Sequence, residues 1–143
     1  MSYATQQNLQ DRYTEEFIIV ATLEGSNAID VTRVARALQD ADAEINVYLA
    51  QRYDLPLNAP LDPLLEKLAG DIAMYLLPAD GLERTEHSRQ RYDDAIKLLN
   101  KIATGKATLR TTPVDGVETA DPEKAQITSS PRLFDRQKMG KIT

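Results

Sequence analysis

Three runs of apolar residues at helical spacing, each closed by proline or glycine, constrain this chain more than anything else in it. The longest follows Asp30, where Val31, Val34, Ala35, Leu38, Ala41, Ile45, Tyr48, Leu49 and Arg52/Tyr53 recur on one face. Arg33, Arg36, Asp40, Glu44 and Gln51 occupy the other. This spacing predicts an amphipathic helix of about six turns, N-capped by Asp30 and ended before Pro56. A second run, Leu64, Leu65, Leu68, Ala69, Ile72, Ala73 and Leu76, starts behind Asp62-Pro63 and stops before Pro78. It is apolar around much of its girth and is expected to be the most buried helix. The third opens at Thr85, carries Tyr92, Ala95, Ile96, Leu99, Ile102 and Ala103, and ends at Gly105. Ahead of them, Thr5 is an N-cap candidate for a short helix over 5–11. A second short piece starts near Thr14, with Glu15-Glu16 leading into the strand-like Phe17-Ile18-Ile19-Val20. The expected fold is all-α, a small bundle of about four helices over residues 1–105.

Behind Gly105 the helical period disappears. Residues 106–143 are rich in Thr, Ser, Pro and Asp and read as a long extended C-terminal arm, with a hairpin signal at Asp115-Gly116. Charge divides at the same place. Residues 1–104 hold 10 Lys and Arg against 17 Asp and Glu, net −7; the last 13 residues hold four bases against Asp135, net +3. An acidic body with a basic tail suits contact between protein surfaces better than a grip on DNA phosphates.

Composition removes several classes of chemistry. The 143 residues contain no cysteine, so disulfides, thiolate nucleophiles and cysteine zinc sites are excluded. One histidine, His87, cannot supply a two-imidazole site. The longest central apolar run, Ile72 to Leu77, is far short of the roughly 20 residues of a membrane span. The N-terminus lacks the basic start and apolar core of a signal peptide. The chain therefore reads as cytosolic and soluble.

The remaining candidates are weak. Asp40 and Glu44 share a helix face, but two carboxylates do not meet the six or more oxygens a calcium-type site needs. Asp42 points elsewhere; a solvated or subunit-facing acidic strip is the expected outcome. Asp71, Asp93 and Asp94 lack any feature placing two carboxylates across a cleft, and salt bridges to Arg52, Arg89 or Arg91 are the expected outcome for them. His87 has no nucleophile turn near it. There is no phosphate-binding glycine loop. Tyr48, Tyr53, Tyr75 and Tyr92 lie at core or rim positions. No cofactor and no enzymatic activity are expected, and a metal-assisted hydrolase using Asp40, Glu44 or Asp71 is the least favoured reading.

Five segments in order carry a resemblance: "MSYATQQNLQDRY", "AIDVTRVARALQDADAEINVYLAQRYDLPL", "PLLEKLAGDIAMYLL", "RYDDAIKLLNKIATGK" and "SSPRLFDRQKMG". Together they resemble the small Mu-like prophage protein family encoded among virion head and neck genes, most specifically from Ala35 to Leu57. The body is more distantly similar to helical head–tail connector proteins of tailed phages. The resemblance implies a non-enzymatic virion protein made in the host cytoplasm. It would form a ring, typically dodecameric, docked on the portal protein and meeting a tail terminator or other neck protein. Double-stranded DNA would pass through it without specific binding. Residues 111–130 match no pattern of the family. The tail element, with Arg132, Leu133, Phe134, Arg136 and Lys138, is expected to bind the portal or a neighbouring subunit. Burying the Leu133–Phe134 pair is worth roughly 2–5 kcal/mol before ordering costs. An assembly chaperone that leaves the finished particle is the alternative.

Overall fold

A computed structural model describes residues 2–78 and 84–110. The helices run α1 (Gln6–Ala21), α2 (Val31–Leu49), α3 (Pro63–Leu76) and α4 (Glu86–Ala103), so the all-α bundle is present. The C-terminal arm expectation, with the hairpin signal and the five tail residues, falls from residue 111 onward, outside the described residues.

Each helix begins where its capping chemistry lies. Thr5 accepts from the Asn8 amide while the Asn8 side chain accepts from the Thr5 amide, a reciprocal capping box. Asp30, Asp62 and Thr85 accept from the amides of Arg33, Leu64 and Ser88. The end of α4 is equally defined. Lys106 N–H reaches Lys101 O at 2.8 Å and Gly105 N–H reaches Ile102 O at 3.2 Å, with Gly105 at φ 79°. This pair of bonds closes the helix in the left-handed turn that favours glycine. A Cβ at Gly105 would also lie 3.1 Å from Arg52 Nη1.

The two short N-terminal pieces form one helix with a kink between them. Thr14 has φ 24° and ψ −91° inside α1, a strained position for a β-branched residue. The strand-like Phe17–Val20 run is helical because the bundle buries Phe17 completely. Helix α2 ends at Leu49, earlier than its spacing predicts. Residues 50–53 turn inward instead, so that Arg52 and Tyr53 are buried. The Arg52 guanidinium then donates to Ile102 O at 3.4 Å, at the carbonyl end of α4. On α2 the stripe also shifts: Ala37 is buried and Ala35 exposed.

The core lies on α3, which buries eight of its 14 residues. It packs between α2 and α4, with α1 laid across α2 and α3. Leu9, Phe17, Ile45, Leu49, Leu65, Leu68, Ile72, Leu99 and Ile102 are fully or almost fully removed from solvent. Arg33 ties α1 to the start of α2 by donating to Val20 O at 2.9 Å and Thr22 O at 3.2 Å. The bundle thus has two distinct ends. One gathers the ends of α1 and α3 and the starts of α2 and α4. The other gathers the ends of α2 and α4 and the start of α3, where the chain leaves toward residue 111.

Leu68→Ala removes a side chain that is 1% exposed and should cost about 2–5 kcal/mol in urea unfolding. Val47→Ala, at a side chain 68% exposed, should stay within about 0.5 kcal/mol.

Candidate functional site

The densest polar chemistry lies where α1, α3 and α4 meet. Asp71, on α3, is buried. Its Oδ1 accepts from Tyr13 Oη at 2.7 Å and its Oδ2 from Lys67 Nζ at 3.0 Å. Arg91 Nε stands 3.9 Å from Oδ1, while Arg91 Nη2 grips both Glu16 oxygens at 2.6 and 2.7 Å. The guanidinium also lies over the Tyr13 ring, 4.9 Å from its centroid. Of the three arginines expected for Asp71, Arg91 is the one the fold delivers. Lys67, one helical turn away, joins it.

Burial raises the Tyr13 hydroxyl's pKa well above its ordinary value, and the hydrogen bond to Asp71 adds to the shift. The phenol therefore stays protonated and donating. A Cβ at Gly70 would meet Tyr13 Oη at 3.0 Å, so this glycine gives the tyrosine its room. Both carboxylate oxygens of Asp71 are thus engaged by donors, one on α1 and one on its own helix. The cluster's chemistry is spent on joining three helices across the Thr14 kink.

The other candidates are dispersed. Asp40 is exposed, and Glu44 accepts from Tyr92 Oη at 2.7 Å. Asp42 is buried and accepts from the Tyr3 amide at 3.0 Å, so this member of the acidic strip turns inward to hold the N-terminal segment. Asp93 and Asp94 are exposed, with Lys97 3.4 Å from Asp94. His87 is exposed in the first turn of α4. Among the described residues, no group of three or more His, Asp or Glu is placed to hold a metal ion. Tyr75 and Tyr92 stack on each other at 4.3 Å, and Tyr53 is buried, so the tyrosines are core and rim.

Two surface features remain. The first is a groove of about 350 Å³ at the α1–α3–α4 end, lined by Ile19, Val20, Met74 and Pro78 with Glu15 and Glu16 at its side. Ile19 is 72% exposed, and Ile18 and Leu23 beside it on the chain are also exposed. Arg84, which also lines the groove, is drawn to Tyr75, donating to its carbonyl at 2.9 Å and lying over its ring. The Ser88 hydroxyl, buried in the wall, has no hydrogen-bond partner among the described residues.

The second feature is the anchor of the departing chain. Leu109 is buried and its amide donates to Tyr53 Oη at 3.0 Å. The Arg110 amide donates to Asp62 Oδ2 at 3.0 Å while Asp62 Oδ1 caps α3. Asp62 thus holds the start of α3 and Arg110, the last described residue, together. Its N-cap role is legible in Asp62-Pro63, whereas the bond to Arg110 spans 48 residues and has no local signal. Tyr13, Glu16 and Arg33 escaped notice for the same reason: their partners are distant in sequence.

No helix among the described residues is long and apolar enough to cross a membrane. The family model described as Bacteriophage Mu, Gp36 matches residues 3–129, so it takes in almost all of residues 111–130, the stretch expected from the sequence to lie outside the family's pattern. The Mu-like prophage FluMu protein gp36 of Haemophilus influenzae is 34% identical over 129 residues, covering 90% of this chain and 88% of its own length. Gene product J of Escherichia phage Mu is 32% identical over 148 residues, covering 99% of this chain and all of its own length.

Two outcomes test this geometry. Arg91→Ala removes the partner of Glu16 and the positive charge beside Asp71, and should cost about 1–3 kcal/mol in urea unfolding, discounted because Arg91 and Glu16 are partly exposed. The Asp62 carboxyl is held below its ordinary value of 3.8, first by the Arg110 amide and then by that of Leu64. A depressed folded value means the bond contributes fully above pH 3.8 and is lost as pH falls through the lower folded value. The Arg110 amide resonance should shift in that acid window, and Asp62→Asn should abolish the step.

Proposed function

Because the chain belongs to the Bacteriophage Mu, Gp36 family, we propose that it is a non-enzymatic structural protein of a tailed phage. It acts as a neck adaptor, a ring of identical subunits docked on the portal and continuing the DNA channel toward the tail. The family establishes a Mu-like phage protein. The neck position and the ring are the further step. The observation that carries it is the division of the chain between a small, tightly knit acidic bundle, which holds Leu109 and Arg110 at one end, and a following segment whose last 13 residues are basic, net +3. A subunit of this kind has a rigid wall to offer and a long arm with which to hold a neighbour.

Charge supports the same role. A body of net −7 repels DNA phosphates, so a channel lined by it would let a duplex pass without gripping it. The carboxylates that a hydrolase would need are spread over three places and largely committed to tyrosine, lysine and backbone partners. The relatives' names state no reaction. Arg132, Leu133, Phe134, Arg136 and Lys138 are the residues proposed to attach the arm to the portal or to a neighbouring subunit.

Light scattering and native mass spectrometry of the protein, alone and mixed with its portal, test this. A ring, or a complex in simple ratio to the portal ring, is the expected result. Phe134→Ala should loosen that complex while leaving the far-ultraviolet dichroism of the bundle intact. A chain that stays monomeric and ignores the portal would contradict the reading and favour an assembly chaperone.

A further inference from the structure

We propose that the groove between α1, α3 and α4 is the acceptor for the Arg132–Arg136 segment of a neighbouring copy of this chain. The proposal rests on the ring reading and names the contact that closes the ring.

Three observations lead to it. The groove has an apolar floor, Ile19, Val20, Met74 and Pro78, with Ile19 among the most exposed large apolar side chains of the bundle. After Gly105, Leu133-Phe134 is the only pair of adjacent large apolar residues. Floor and plug therefore match in kind. Their charges match too. Glu15 is exposed beside the groove, with no ion-pair partner among the described residues, while Glu16 is already held by Arg91. The plug is flanked by Arg132 and Arg136, in a 13-residue stretch of net +3.

The third observation is polarity. The arm leaves the bundle at Arg110, beside Asp62 at the start of α3. The groove lies at the other end, beside Pro78 just past the end of α3 and Ser88 near the start of α4. Donor and acceptor are separated by the length of the bundle, about 25 Å for an 18-residue helix. A subunit that gives at one end and receives at the other makes a head-to-tail contact, which generates a closed ring when the rotation allows it. The 22 residues between Arg110 and Leu133 reach at most about 75 Å. That length crosses one bundle and enters the next.

The absence of native cysteine makes the test clean. Full-length Ile19→Cys protein and mass-tagged Asp135→Cys protein, which keeps Leu133 and Phe134, are mixed and treated with a short bismaleimide. The expected product is a mixed two-chain conjugate, at least tenfold above the yield when Val47→Cys, exposed on α2, replaces Ile19→Cys. Equal yields would overturn the proposal. So would a doubly substituted chain that links only within itself while the separate variants do not link, because the groove would then hold its own chain's tail. Native mass spectrometry separates this from the ring reading. A ring without the conjugate overturns the docking and leaves the ring standing. The conjugate without a ring sustains the docking and removes the ring.

Discussion

One buried carboxylate organises the bundle. Asp71 takes a hydrogen bond from Tyr13 on α1, a bond from Lys67 on its own helix, and the nearby charge of Arg91 on α4. Arg91 in turn holds Glu16, three residues after Tyr13. The two α1 contacts straddle Thr14, whose backbone is strained. Such a conformation persists where its surroundings over-determine it, and here Tyr13, Glu16 and the fully buried Phe17 do so within five residues. The kink sets the direction of the second half of α1, and with it the position of Ile19 and the groove.

The same economy appears at the ends of the helices. Arg33 satisfies carbonyls at the end of α1, and Arg52 satisfies one at the end of α4. Each is a cation at the negative end of a helix dipole. Each also joins segments that the apolar core alone would leave loosely related. The result is a bundle whose described residues show two chemically different ends: one with an open apolar groove, the other with Leu109 and Arg110 held at Tyr53 and Asp62. A head-to-tail assembly requires that asymmetry in its subunit.

Much of the fold was legible in the sequence because its signals are local. Asp30, Asp62, Thr85 and Gly105 mark helix ends through bonds to neighbours within a few residues. The break at Thr14 was legible as a change from one short helical piece to the next, though not as a kink within one helix. The early end of α2 was not legible, because Arg52 and Tyr53 continue the helical spacing and turn inward only to meet α4 and Leu109. The site was less legible than the fold. Tyr13, Glu16 and Asp62 act through partners 48 to 75 residues away, and no spacing rule reaches that far. The inward bond of Asp42 was not legible, because its partner is a backbone amide at Tyr3, which carries no sequence signature.

Membership of a Mu-like phage family supports a structural or assembly role in the phage, and the proposed neck ring places that role in the finished particle. The most direct measurement is its location in purified, full-length virions, by antibody labelling in electron microscopy with quantitative mass spectrometry of the same particles. The account predicts label confined to the head–tail vertex and a copy number in simple ratio to the portal. Absence from finished particles, with the protein present only in lysates during assembly, would contradict it.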